Sequence, residues 1–582
     1  MTTKLPNIIV KVILEYLLNR IIEFDYLVDF IHRFTLISKK WNEEIIRKLK
    51  VYNRLTSTQD GDYEIIGKWC QLAKRYHIDY EVALELCNNR IDYEILRDRV
   101  VTIQNAVESF TKVEYNYYKY LKEITFKIRL TEHEFPQSTE YSDTIDYNLE
   151  LINISQQDTI SSNILEILFN QKSFKRVQLY KMKIEGMNYH SELSLQRLIL
   201  IEISVDENAL CSILSRSPNL EKISLCMVDI CNGEFGSILK CIADVSTQFK
   251  KLNLLFINEY KAAVAFKTIV DLLNRIQCKS VLIDFKYIVC EEIESVIENT
   301  YIEIFRFKNW EVLLKDAAKL DLLTINMLFK WKDKSHLEDV YIEAGDSLMV
   351  LESMNEMVNL KKLEIYYWGS YNSLSSNCNQ LTNYLLPTKL PNLTNLKLEL
   401  DKFGFTFIPD ILKVHPKVTS LGVGRSGVST KELVILLDSK QFPTLTDLSI
   451  DRVFKLNDIF EDMEAYNENA MLPIFQNNST LRMLRIIDCE INVKNPPSFI
   501  MSVLQVNRIY SSFIVYFQPL VQYLNFYIDY NLFEQTLSNN TVIKKLLLPS
   551  TASRYGHVKY SQELINLFNK YSVNRVTYLY VQ

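Results

Sequence analysis

The sequence predicts an α/β repeat solenoid, with parallel strands on a concave face and helices on a convex face, preceded by a small all-α N-terminal domain. Three observations predict it. A short apolar phrase recurs along most of the chain, helix-patterned stretches lie between its copies, and a purely helical pattern occupies the first fifty residues.

The phrase is an apolar residue, two others, an apolar residue, one other, and an apolar residue. Its clearest copies are Leu220/Ile223/Leu225, Leu360/Leu363/Ile365, Leu393/Leu396/Leu398, Leu445/Leu448/Ile450 and Leu481/Leu484/Ile486. Residues two apart on a strand share a face, and the residue between them takes the other. One such strand cannot bury its own apolar face, whereas stacked copies cover each other. About seventeen irregular copies start near residues 121, 149, 174, 195, 220, 249, 278, 302, 337, 360, 393, 418, 445, 481, 521, 543 and 573. Their mean period of about 28 residues falls within the range of leucine-rich repeats. That template also asks for Asn or Cys at the ninth position and an apolar residue at the eleventh. Cys489 and Ile491 supply both; Ile184, Val205, Ile230 and Val428 keep the eleventh, but Met182, Ile203, Val228 and Ser426 stand at the ninth. Between phrases, Leu210/Ile213/Leu214 and Leu433/Leu436/Leu437 recur at three and four, the spacing of one helix face. Residues 121 to 582 therefore read as a leucine-rich-repeat solenoid in which each strand is followed by a helix.

Bulk properties agree. A chain of 582 residues exceeds what one hydrophobic core supports, and a repeat array resolves that tension. The net charge of −5 gives no attraction to polyanions, so nucleic acid is not an expected partner. Ten cysteines without a Cys-x-x-Cys pair read as small thiols in a reducing compartment, cytoplasmic or nuclear. Lys11 and Glu15 interrupt the N-terminal apolar residues and rule against a secretory signal. Ile509 to Ile528 is uncharged over the length that spans a bilayer. Its Ser511, Ser512, Gln518, Pro519, Gln522 and Asn525, and the phrase at Val521, favour a buried pair of strands, and no membrane association is expected.

The first fifty residues differ in pattern. Ile9, Val12, Ile13, Tyr16 and Leu17 form one apolar helix face, with Pro6 suited to the first turn. Apolar stretches follow at Phe24 to Phe30 and from Phe34 through Trp41 to Ile46. This segment resembles an F-box, through Leu5, Pro6, Ile9, Ile13, Leu17, Leu36, Ile37, Lys39 and Trp41. The stretch Asn19 to Arg33 is longer than the family's second segment, and no Glu follows Leu5-Pro6 where the family often has one. The alternative for residues 5 to 50 is a helical cap on the first repeats. The resemblance implies a three-helix domain, residues 1 to 50, whose nine matching residues dock a Skp-type adaptor and so a cullin, in an SCF-type ubiquitin ligase. The repeats would then hold an unknown protein substrate, and the chain would catalyse nothing, acting through effective concentration. Residues 51 to 120, free of proline and with runs at Tyr63 to Leu72 and Tyr80 to Leu86, read as a helical connector or cap.

Positions three, five and seven of each phrase face the concave side. Early copies place Arg176, Arg197, Lys222, Lys251, Arg306 and Lys308 there, relieved mainly by Asp284; later ones place Asp339, Glu343, Glu364, Glu399, Asp447 and Asp451, mixed with Lys362 and Lys397 and with Tyr341 and Tyr366. The expectation is a bipolar groove for a partner with one acidic and one basic segment, against the plainer alternative of solvated faces. Gly422-Val-Gly424-Arg-Ser-Gly427, followed by a capping box at Ser429 and Glu432 and later by Asp451, mimics a dinucleotide site. Yet Val418, Leu421 and Val423 are themselves the phrase, which puts both glycines on the concave face inside a repeat, so no cofactor is expected. The seven histidines lack metal-ligand spacing, and neither a Gly-x-Ser-x-Gly elbow nor a phosphate-binding Gly-Lys loop occurs, so no catalytic or metal residue is assigned. The 34 Tyr and 29 Phe read mainly as core filling.

Overall fold

A computed structural model describes residues 7–18, 27–28, 31, 39–51, 55–57, 63–85, 99–106, 122–130, 146–153, 174–184, 192–245, 249–257, 264–290, 295–314, 330–344, 354–367, 385–400, 407–425, 428–454, 468–489, 493, 495–517, 528–547, 551–552, 558–559, 561–571 and 573–575. The chain divides into two units, Met1–Cys278 with Asp284–Val289, and Lys279–Ile283 with Cys290–Gln582.

Each unit is α/β and is organised by parallel strands one repeat apart. In the first, the strands Glu123–Leu130, Asp146–Asn153, Phe174–Tyr180, Arg197–Ile201, Lys222–Cys226 and Phe249–Ile257 pair in sequence order. In the second, Ile304–Leu314, Asp339–Ala344, Lys362–Tyr367, Asn395–Leu400, Ser420–Arg425, Asp447–Phe454, Met483–Cys489, Ser512–Phe517, Lys545–Leu546 and Asn574–Arg575 do the same. Phrase positions four and six are buried under the intervening helices, as at Leu198/Leu200, Ile223/Leu225, Leu252/Leu254, Leu448/Ile450 and Leu484/Ile486. The leucine-rich-repeat solenoid read from the sequence is thus the architecture of both units.

Two details of register differ from expectation. Leu149 and Leu151 lie opposite Val177 and Leu179, so the second copy begins near residue 146 rather than 149. Tyr510, Phe513 and Val515 carry the copy expected at Val521, with strand Ser512–Phe517; residues 518–527 lie outside those described. Upstream, the helical reading of residues 51 to 120 holds for Tyr63–Tyr76. Leu55–Ser57, Val82–Glu85 and Val100–Ala106 are instead strands, paired in parallel with one another and with Glu123–Leu130. A short apolar run such as Val82 to Leu84 carries no periodicity that separates strand from helix, and the neighbouring strands decide it.

The turn entering each strand repeats. The N–H of the first phrase residue donates to the carbonyl three residues earlier at Leu220, Leu337, Leu360, Leu393, Val418 and Leu445. That earlier position is often polar and buried, as at Ser217, Asn299, Lys334, His415, Asn478, Asn507 and Asn540. The asparagines replace the turn bond with side-chain bonds. Asn478 Oδ1 accepts from Leu481 N at 2.8 Å while its amide donates to Leu437 O at 2.6 Å. Asn507 donates to the carbonyls of Phe475, Gln476 and Asn478 at 3.3, 3.2 and 2.6 Å. Asn540 donates to Leu504 and Asn507 carbonyls at 2.9 and 3.0 Å. The polar site that the template puts at position nine has therefore moved; at nine, Met182, Ile203 and Val228 are buried as apolar residues.

Strands leave through a corner in which Lys181, Glu202 and Met227, each at phrase position eight, adopt φ of 52°, 54° and 53°. Lys183–Ile184, Ser204–Val205 and Asp229–Ile230 then form a second small parallel sheet. Helices begin at side-chain caps: Asp206 accepts from Asn208 N and Ala209 N, and Asn495, Asp529 and Ser561 cap three later helices. Aromatics fill the core of the second unit, where Phe475 meets Phe499 and Phe513 edge-on at 5.6 and 6.1 Å. Replacing Asn507 with Ala leaves buried carbonyls and an N–H unsatisfied, at about 1–3 kcal/mol for such a group. The expected outcome is a lower melting temperature together with faster amide exchange at Ile509 and in the neighbouring Glu468–Asn477 and Pro496–Val506 helices, read by hydrogen exchange; protection unchanged there would refute the clasp.

Candidate functional site

The candidate site is the sheet face that the helices leave uncovered, carrying phrase positions three, five and seven. In the first unit, parallel register aligns four predicted residues. Arg176 lies opposite Arg197, Arg197 opposite Lys222, and Lys222 opposite Lys251. With strands about 4.8 Å apart, the row is roughly 14 Å long. Arg176 pairs with Glu123 at 3.2 Å. Arg197, Lys222 and Lys251 have no carboxylate within 4 Å among the described residues, since the adjacent Glu221 is taken by Lys250 at 2.7 Å. The Lys250 bond, with Arg197 and Lys222 nearby, holds the Glu221 carboxyl below its ordinary range.

Four residues further along the same strands the chemistry changes. Position seven carries Tyr180, Ile201, Cys226 and Leu255 in mutual register, each half-buried, and Ile199 stands at position five. A basic row and an apolar row thus cross the same four strands about 13 Å apart, with Gln178, Ser224 and Asn253 between them at position five.

The second unit is arranged otherwise. Asp339 lies opposite Lys362, and Tyr341 opposite Glu364. Arg306 reaches Asp339 at 3.1 Å and Glu364 at 3.5 Å, and Lys362 reaches Glu364 at 2.6 Å and Asp339 at 3.8 Å. Burial alone would raise the Glu364 carboxyl, but Lys362, Arg306 and Lys397 together pull it below its ordinary value. Lys397 pairs with Glu399 in the same way. Asp339, Glu364 and Glu399 of the expected acidic half are therefore internally neutralised, and Arg306 belongs to that cluster rather than to the basic row. Opposite charges two residues or one strand apart come within pairing distance, which a residue count by half-chain cannot reveal. Tyr341 and Tyr366 are buried rather than displayed. Thr446 Oγ1 donates to Asp447 at 2.7 Å, and Lys308 and Glu343 lie in the strands Ile304–Leu314 and Asp339–Ala344.

Gly422 and Gly424 sit mid-strand, opposite Lys397 and Glu399 on one side, with Gly422 opposite Ser449 on the other. A Cβ on Gly424 would stand 2.9 Å from Glu399 Cγ and 3.2 Å from Asp451 Oδ2, so Glu399 and Asp451 close over that glycine. Their backbone lies within the strand ladder. The helix that follows, Thr430–Leu436, has its N-terminus closed by its own capping box: Glu432 Oε2 accepts from Ser429 N at 2.9 Å and from Ser429 Oγ at 2.8 Å.

Of the predicted adaptor residues, Ile9, Ile13 and Leu17 lie on helix Asn7–Leu18, and Lys39 and Trp41 on helix Lys39–Glu44; Leu5, Pro6, Leu36 and Ile37 lie outside the described residues. Leu14, Leu18, Leu27, Val28, Ile31, Ile45 and Ile46 are buried, and Lys50 N donates to Glu15 Oε1 at 3.0 Å, tying the end of this segment to its first helix. Among the described residues no group of His, Cys, Asp and Glu is placed to hold a metal, and no helix is long and apolar enough to cross a membrane.

No protein-family model and no curated protein matches the chain. Among solved structures it is similar to an internalin (InlF) from Listeria monocytogenes at 13% identity, over 69% of this chain and 80% of that one, with a TM-score of 0.25. At that score the assignment of both units to leucine-rich-repeat architecture rests on the strand register described above.

Burial of Glu432, only partly offset by its Ser429 bonds, pushes its carboxyl up to about 7; its Oε1 is buried without a hydrogen bond. The folded form therefore holds a proton that the unfolded chain releases near 4.5. The stability this proton supports is complete below that pH and is lost as pH rises through about 7. Glu432→Gln, which preserves the capping geometry, is expected to match the parent at pH 4 and to exceed it by about 1–3 kcal/mol at pH 8, measured as paired melting curves. Parallel pH profiles for the two proteins would contradict it.

Proposed function

We propose that this chain is the substrate-recognition subunit of an SCF-type ubiquitin ligase, its N-terminal segment docking a Skp-type adaptor and its repeats holding the protein to be ubiquitinated. The observation that carries the receptor half is the in-register row Arg176, Arg197, Lys222 and Lys251, with an apolar row four residues further along the same strands, on a sheet face that the helices leave open. A face of this kind offers fixed charge for orientation and apolar area for affinity. The adaptor half is supported by the F-box resemblance at Leu5, Pro6, Ile9, Ile13, Leu17, Leu36, Ile37, Lys39 and Trp41.

In this reading the chain supplies position rather than chemistry. Parallel ladders hold the receptor face rigid, and tethering a cargo beside a charged conjugating enzyme makes ubiquitin transfer nearly intramolecular. No cofactor or metal enters the reading, and the compartment is cytoplasmic or nuclear, where the partner machinery and free thiols coexist.

The test is quantitative recovery of adaptor and cullin with three tagged chains: the intact protein, one lacking residues 1 to 50, and one carrying Leu5→Ala, Pro6→Ala and Ile9→Ala. Recovery is expected to fall about tenfold or more in both altered chains. Equal recovery with all three would remove the ubiquitin role and leave a repeat scaffold that joins proteins.

A further inference from the structure

We propose that Cys211 and Cys241 form an oxidation site for hydroperoxides, where the two thiols join as a reversible disulfide between consecutive repeats of the first unit. The pair lies on the helices and has no part in the receptor reading.

Cys211 belongs to the helix Glu207–Ser215 and Cys241 to the helix Phe235–Val245, one repeat apart. Two bonds fix the starts of these helices against each other. Glu207 Oε2 accepts from Glu234 N at 2.8 Å, and Asp206 Oδ2 accepts from Asn232 Nδ2 at 3.1 Å. Gly233, with φ of 142°, makes room for the first bond, since a Cβ there would overlap the Glu207 carboxylate. Cys211 stands about one helical turn after Glu207. There Cys241 Sγ donates to Cys211 O at 3.6 Å, and the two thiols are hydrogen-bonded to each other. Sulfurs already in contact reach a bond length of about 2.05 Å by side-chain rotation rather than by moving backbone. Leu210, Ile213 and Leu214 on one helix and Ile238, Leu239 and Ile242 on the other are buried, whereas both cysteines are half-exposed, within reach of a dissolved oxidant.

The two sulfurs are not equivalent. The hydrogen bond from Cys241 pulls the Cys211 thiol below its ordinary range, against burial and the nearby Glu207. The same bond, with burial, pushes the Cys241 thiol up. Cys211 is therefore the thiolate nucleophile and Cys241 its protonated partner. In the first step the Cys211 thiolate attacks the hydroperoxide: an S–O bond forms, the O–O bond breaks, and the departing oxygen takes a proton from solvent and leaves as water or an alcohol. Cys211 is then a sulfenic acid. In the second step Cys241 sulfur attacks Cys211 sulfur: the S–S bond forms, the S–O bond breaks, and hydroxide leaves with the Cys241 proton as water. Two thiols lose two electrons and one hydroperoxide gains them. A disulfide of this kind is transient in a reducing compartment, and a thiol reductant reverses it by exchange. The other cysteines lack this arrangement. Burial, Glu202 and Asp284 raise the half-exposed Cys226, and Cys70 is buried with Tyr80 Oη donating to it at 3.3 Å.

The test treats the reduced full-length chain with a slight molar excess of hydrogen peroxide, alkylates the remaining thiols and maps the peptides by mass spectrometry. The expected product loses two of the chain's ten alkylatable thiols and yields a linked Cys211–Cys241 peptide that dithiothreitol abolishes. In a Cys241→Ser chain, dimedone, which traps sulfenic acid, is expected to label Cys211. In a Cys211→Ser chain, labelling of Cys241 is expected to be about tenfold weaker or less. Alkylation of Cys211 and Cys241 after peroxide as complete as that of the half-exposed Cys226 and Cys231 overturns the site. So does a greater yield of any other linked pair. Equal dimedone labelling of Cys211 and Cys241 in the two variants overturns the division of roles. The peptide map of the parent chain decides the site without either variant, whether or not the substitutions fold.

Discussion

One carbonyl in each repeat of the second unit carries the lateral coupling. Lys361 O accepts from the N–H groups of Thr394 and Asn395, Thr394 O from Thr419 and Ser420, and Thr419 O from Thr446 and Asp447, and the series continues through Thr446, Arg482 and Ser511. At several steps a hydroxyl joins the same oxygen, from Thr394, Thr419, Thr446 and Ser511. An oxygen with two or three donors fixes both the distance between strands and the residue that faces each neighbour. A slip of one residue would turn every buried leucine outward, so this shared carbonyl, more than any single apolar contact, makes the rest of the arrangement possible.

Register in turn creates the surface chemistry. Four cations become a row because parallel pairing places phrase position three opposite phrase position three, strand after strand. The same rule places Asp339 opposite Lys362 and brings Arg306 within reach of Asp339 and Glu364, so that charges distant along the chain neutralise one another across it. Surface charge here follows one geometric rule with opposite results in the two units.

Much of this was legible beforehand. The phrase at Leu220, Leu360, Leu393, Leu445 and Leu481 predicts strands at those places because burial of alternate residues leaves a direct mark on composition. The displacement of Gly422 and Gly424 from a phosphate loop to mid-strand followed from the same periodicity. What the sequence alone does not carry is nonlocal. Val82 to Glu85 became a strand because an adjacent strand was available, not through its own propensity. The pairing of Arg306 depended on residues 33 and more positions away. Asn478, Asn507 and Asn540 could have been found, since each stands three residues before a phrase, but the familiar template directs attention to position nine instead.

Those three asparagines impose a direction on the molecule. Asn478 donates back to Leu437, Asn507 back to Phe475, Gln476 and Asn478, and Asn540 back to Leu504 and Asn507. In every case the acceptor precedes the donor in the chain. During synthesis from the N-terminus, each clasp therefore finds its acceptors already made when its amide leaves the ribosome, and the growing end of the array serves as the template for the repeat that follows.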